Sequence, residues 1–123
     1  MTAIIKENGD VEMFQGDDID FHFIGLPDDD DYDVFIEIQD ESRVPIAKQV
    51  QVKSNYQKMV NIHLTGNYTK LMTVPVDENY KKYYYGVKYC SESRGIEQTF
   101  LLPGKKIGDL NVIKVSPQTV EGI

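Results

Sequence analysis

Five aspartates within six residues, Asp28 to Asp31 and Asp33, are the densest chemistry-bearing set in this chain. Calcium is hard and takes several oxygen ligands, so clustered carboxylates are a metal-site candidate. Read as an EF-hand loop, Asp29, Asp31 and Asp33 would be the first three ligands. The obligatory glycine position then holds Val34, and the twelfth position holds Asp40 where a bidentate glutamate belongs. Nothing helical flanks the run, so the EF-hand reading fails. A loop-tip calcium site through Asp29, Asp31 and Asp33 is the alternative. Packed carboxylates repel one another and favour water, so a solvated acidic turn is the preferred reading and no cofactor is expected.

The remaining reactive side chains are sparse. His22 and His63 lack the i, i+4 spacing of a helical metal pair, and both fall at outward positions of alternating segments. Cys90 is the sole cysteine, which excludes an intrachain disulfide and a cysteine-based zinc site. A thiolate nucleophile needs a helix N-terminus or a cation beside it, and Lys88, two residues away, is weak support. Gly16-Asp17-Asp18 is not a phosphate loop, because no helix follows it. Tyr84, with Tyr80 or Tyr56, would suit stacking on a sugar ring or anchoring a protein partner. Cross-strand packing is the simpler account of these tyrosines. No catalytic constellation emerges, and the expectation is a non-enzyme.

The elements that must carry these residues are strands. Ile19, Phe21 and Phe23 alternate with Asp20 and His22, and Val34, Ile36 and Ile38 alternate with Phe35 and Glu37. Val50 and Val52 flank Gln51, and Val60, Ile62 and Leu64 flank Asn61 and His63. One buried and one wet face per segment is the mark of antiparallel sheets. In Lys81 to Cys90 the core face is Tyr83, Tyr85, Val87 and Tyr89, with Tyr84, Gly86, Lys88 and Cys90 outward. A partner strand is expected over Ile96 to Leu102, across a turn at Ser93-Arg94-Gly95. Gly104 and Gly108 bracket a basic loop with Lys105 and Lys106, and Asn111 to Val115 forms a last strand. Turn signals such as Gly9-Asp10, Gly16-Asp17 and Gly66-Asn67 separate the segments. This cadence predicts an all-β, immunoglobulin-like antiparallel β-sandwich of seven to nine short strands, with a small β-barrel as the alternative. The chain length suits one domain, residues 1–116, with residues 117–123 as a C-terminal tail.

Charge is split along the chain. Residues 1–41 hold 14 acids and one base, and residues 42–123 hold 12 bases and six acids, within a net charge of −7. An acidic first third argues against a nucleic-acid partner, which needs clustered Lys and Arg. No basic flank leads a long apolar run at the start, and no run reaches membrane-span length, so neither a signal peptide nor a membrane partner is expected. The lone cysteine suits folding in a reducing cytoplasm. Opposed charges can attract within a fold or between copies. The surfaces expected to meet are an acidic edge around Asp17 to Asp33, with Asp28 and Asp30, and a basic surface bearing Lys81, Lys82, Lys105 or Lys106.

The order of features also resembles a known family. An N-terminal strand pair leads to Gly16-Asp17-Asp18 and an apolar alternating strand, and Leu26-Pro27 feeds the strand of Val34, Ile36 and Ile38. Leu71-Met72-Thr73-Val74-Pro75, the aromatic strand Tyr83 to Val87, Thr99 and a closing Val112 to Val115 follow. This pattern is similar to the immunoglobulin-like domain of structural proteins in tailed phages of Gram-positive hosts, as in the N-terminal domain of baseplate upper proteins. The four-aspartate run is more acidic than that family's loop. The resemblance implies a virion or prophage setting and a connecting or decorating role in the tail or baseplate region. Other virion proteins and copies of itself are the implied partners, synthesis is in the host cytoplasm, and there are no catalytic residues to carry over.

Overall fold

The computed structural model describes residues 3–26, 31–54, 59–100 and 111–117. Among them nine strands form, those from β3 to β7 where the alternation predicts: β1 (Ile4–Ile5), β2 (Val11–Phe14), β3 (Ile19–Ile24), β4 (Asp33–Gln39), β5 (Val50–Lys53), β6 (Met59–Leu64), β7 (Lys81–Ser91), β8 (Ile96–Phe100) and β9 (Asn111–Ser116). A four-residue helix, α1 (Gly66–Thr69), lies between β6 and β7. Burial follows the period of two, most cleanly in β3, β4 and β6, where every second residue is buried.

The strands build two sheets. The larger runs β1-β2-β9-β7-β4-β5, with β8 also paired to β7, and the smaller is β3-β6. The order β9-β7-β4-β5 opposite β3-β6 matches the G-F-C-C′ and B-E strands of an immunoglobulin-like sandwich. At 11 residues, β7 is long enough to hold two partners in tandem on one edge, β9 along Lys81 to Tyr85 and β8 along Val87 to Ser91. Its other edge takes β4 from Tyr84 to Cys90. One pairing departs from the all-antiparallel expectation, because β2 runs parallel to β9. Alternation specifies which face is buried and carries no strand direction, so this pairing left no mark in the pattern.

The core lies between the sheets and holds Phe21, Phe23, Val34, Ile36, Ile38, Ile62, Tyr83, Tyr85 and Ile113, among others. Ring contacts cross it: Phe21 to Tyr85 at 4.8 Å between centroids, and Phe23 edge-on to Phe100 at 5.8 Å. Tyr83, near the start of β7, donates its hydroxyl to the Thr73 carbonyl at 2.5 Å and ties the segment after α1 to the sheet. Tyr85 donates to the Gly9 carbonyl, and the Asn111 amide donates to Asn8 O at 3.2 Å and to the Tyr85 hydroxyl at 3.3 Å. These bonds stitch the β1–β2 turn to β7 and β9, and burial pushes the Tyr85 phenol well above its usual range.

A close backbone approach sets the entry to β3. Gly16 adopts φ 89°, a left-handed conformation that costs glycine least, and turns the chain out of β2. Its carbonyl oxygen sits 2.7 Å from where a Cβ on Gly66 would be, so only glycine fits there. The contact clamps the turn before β3 onto the start of α1. It thereby brings Asp18 beside the end of β6.

Candidate functional site

The outer face of the small sheet gathers both histidines. Register places Asp20 opposite His63, His22 opposite Asn61 and Ile24 opposite Met59. His63 Nδ1 donates to Asp20 Oδ1, and its Nε2 lies 3.4 Å from Asp18 Oδ2. His22 Nδ1 donates to Asn61 Oδ1. Both nitrogens of an imidazole are donors only in the protonated ring, so two carboxylates on one ring favour the cation. The His63 pKa is accordingly raised above its ordinary 6.5, by the Asp20 hydrogen bond first and by the charges of Asp20 and Asp18, against desolvation. The sequence reading of both histidines as outward holds. What it missed is that the sheet register and the Gly16–Gly66 contact bring two carboxylates onto one of them.

A carboxylate-oriented imidazole is two-thirds of a nucleophilic triad. The one thiol is elsewhere: Cys90 belongs to β7 in the other sheet, with Asp33 and Glu97 as its cross-strand neighbours. Lys88, the cation counted in its favour, instead pairs with Glu97 at 2.9 Å. Among the described residues no group of three or more His, Cys, Asp or Glu side chains is arranged to hold a metal ion.

The aspartate run is only partly in view. Asp28, Asp29 and Asp30 lie outside the described residues, as do Tyr56, Lys105 and Lys106. Asp31 and Asp33 are half-buried on either side of Tyr32, which is 2% exposed. Tyr32 packs edge-on to Tyr89 at 5.1 Å and shares two hydrogen bonds with Ser54, giving its N–H to the hydroxyl and its carbonyl to the Ser54 N–H. It is an anchor that sequence reading passed over. The signal was present, since Tyr32, Val34, Ile36 and Ile38 share one parity.

Charge is redistributed by the sheet. Asp33 stands opposite Lys53, and Glu12 stands opposite Lys114. Lys6 reaches Glu12 at 3.1 Å. Part of the split along the sequence is thus interleaved as opposite-charge neighbours, which stabilise a sheet by a few tenths to about 1 kcal/mol each. Two places are less balanced. Strands β3 and β6 carry no Lys or Arg, and among the described residues the ion-pair partner of Asp18 and Asp20 is His63. On the large sheet Lys82 and Lys114 stand directly opposite each other. Lys114, which also has Glu12 opposite it, leans over the Tyr80 ring at 4.7 Å, and among the described residues no ion pair involves Lys82.

The other members of the expected basic and aromatic surface are placed differently. Lys81 takes the parity of Tyr83, half-buried with its ammonium 5.5 Å from that ring, so it does not share a face with Lys82. Tyr84 is outward as expected but only half-exposed, with the Arg43 guanidinium 5.7 Å from its ring centre. That contact fits cross-strand packing better than a vacant stacking platform.

The strands together define an all-β, immunoglobulin-like sandwich in which some charged residues stand opposite partners of the other sign. Comparison with protein-family models, curated proteins and solved structures finds no match to this chain.

Proposed function

We propose that this chain is a non-enzymatic structural module that assembles through protein–protein contacts with other proteins and with copies of itself. Following the resemblance to tailed-phage domains, the setting we propose is the tail or baseplate region of a virion assembled in a host cytoplasm. The observation that supports the assembly reading is the uneven charge of the two sheets. Asp18 and Asp20 lie at a sheet without Lys or Arg, while on the other sheet Lys82 faces Lys114, with Glu12 on the far side of Lys114. Charge left exposed on a surface is available to a partner outside the fold.

Light scattering after size exclusion, at low and at high salt, tests this. The expected result is a multi-copy species at low salt that dissociates as screening shortens the reach of surface charge. A monomer at both salts removes self-assembly. For the setting, genes flanking this one should encode tail, connector or capsid components, and a neighbourhood of metabolic enzymes would overturn the virion assignment.

A further inference from the structure

We infer that His63 is a pH-sensitive latch on the turn between β2 and β3. Its imidazolium fastens that turn to the small sheet, and loss of the proton lets the turn open together with the amino-terminal residues bonded to it. The device is local and works whether or not copies of the chain assemble.

The turn is a junction between the two sheets. Gln15 gives its N–H to the Ser116 carbonyl at the end of β9, at 2.9 Å, and its side-chain amide to the Lys70 carbonyl just past α1, at 3.0 Å. Asp17 Oδ2 accepts the Phe14 N–H at 3.1 Å, and the Asp18 carbonyl accepts the Ala3 N–H at 2.9 Å. Ala3 leads directly into β1, whose two residues pair with β2 alone among the described strands. The turn therefore ties β1, β9 and α1 together. Its own side-chain hold on β6 is the pair of Asp18 with His63.

The groups that face the imidazole are few. Asp20 stands opposite it on β3, and Asp18 reaches it from the turn. His22 lies diagonally across the same face and meets the uncharged Asn61 amide. Strand β6 has no other charged side chain, and the titratable group of α1 is Tyr68, whose hydroxyl is given to the Lys48 carbonyl. A protonated ring donates from both nitrogens, whereas a neutral ring keeps one N–H and serves one carboxylate. Asp20 holds a hydrogen bond and Asp18 a 3.4 Å contact, so Asp18 is the carboxylate released. Asp17, Asp18 and Asp20 then repel one another beside strands that carry no Lys or Arg, which drives the turn outward. The raised His63 pKa has the same sign, so closure is favoured below the titration and lost as pH rises through it.

Solvent exchange of backbone amides, followed by NMR in the full chain across the histidine range and corrected for the intrinsic pH dependence of exchange, reads the opening. Protection of the Ala3 and Gln15 amides should fall about two- to fivefold through the His63 titration, the scale of an exposed ion pair. The Asp40 and Arg43 amides, bonded within the remote loop between β4 and β5, should stay level. His63→Gln should abolish the change, while other groups that titrate in this range remain in that variant. His63→Lys, a cation throughout, should keep the turn protected at high pH, and His22→Gln should leave the change in place. If His63→Gln does not fold, Asp18→Asn carries the same test, because it removes the carboxylate that the latch releases. Level protection of Ala3 and Gln15 in the wild type overturns the latch, and so does a fall of the same size in His63→Gln.

Discussion

Alanine at position 66 would place its Cβ 2.7 Å from the Gly16 carbonyl oxygen and 3.9 Å from Asp18 Oδ1. The first contact is with backbone, which cannot rotate away as a flexible side chain can. Relieving it means moving the Gly16 turn by roughly half an ångström or more, and overpacking of this kind costs about 1–3 kcal/mol. Helix propensity pulls the other way, since alanine is favoured over glycine by up to about 1 kcal/mol inside a helix. Gly66 opens a helix of only four residues, so little of that gain is realised. The expected net is a loss of about 1–2 kcal/mol, a fall in Tm of roughly 4–8 °C for a chain of this size. Thermal unfolding by circular dichroism reads it, with Asn67→Ala in the same helix as the control for propensity alone. The displaced turn also carries Asp18 away from His63, so the His63 titration followed by NMR should move toward its ordinary 6.5. A Gly66→Ala protein as stable as wild type, with His63 titrating unchanged, would refute the argument that this contact positions the cluster.

Further outcomes follow from the same structure. The His63 pKa is raised in the folded chain, so its contribution to stability is fully present below about pH 6.5 and fades as pH rises through the folded value. Asp20→Asn should lower the His63 pKa in an NMR titration more than Asp18→Asn does, because the Asp20 hydrogen bond is the largest cause; the reverse order would contradict that ranking. Tyr83→Phe removes the hydroxyl bond to the Thr73 carbonyl and should cost about 1 kcal/mol in denaturant unfolding, with no change in the slope against denaturant. Arg43 sits at φ 65° while its guanidinium stacks on Tyr84. Arg43→Ala loses the stacking and keeps the strain, whereas Arg43→Gly relieves the strain, so the glycine variant should be the more stable by about 1 kcal/mol. Equal stabilities by the same unfolding assay would remove the strain argument.

Much of the fold is legible in the residues because burial on one face of a strand writes a period of two. The inward sets Ile19, Phe21, Phe23 and Val60, Ile62, Leu64 are buried as the pattern predicts. The glycine turns fall at strand spacing, and the aromatic strand buries Tyr83, Tyr85 and Val87. The same parity extends to Tyr32, which is buried although aspartates flank it in sequence.

Which side chains meet across strands depends on contacts between residues far apart in the chain, and local pattern does not encode them. Alternation therefore put His22 and His63 outward and left their partners open. Register supplied Asn61 and Asp20, and the Gly16–Gly66 approach supplied Asp18. The acidic first third and basic remainder are facts of composition. Only strand order decided that Asp33 and Glu12 would face Lys53 and Lys114, that Asp18 and Asp20 would meet His63, and that Lys82 would face another lysine. Composition tells how much charge a chain carries, but neutralisation falls steeply with distance, and distance is set by the pairing of strands.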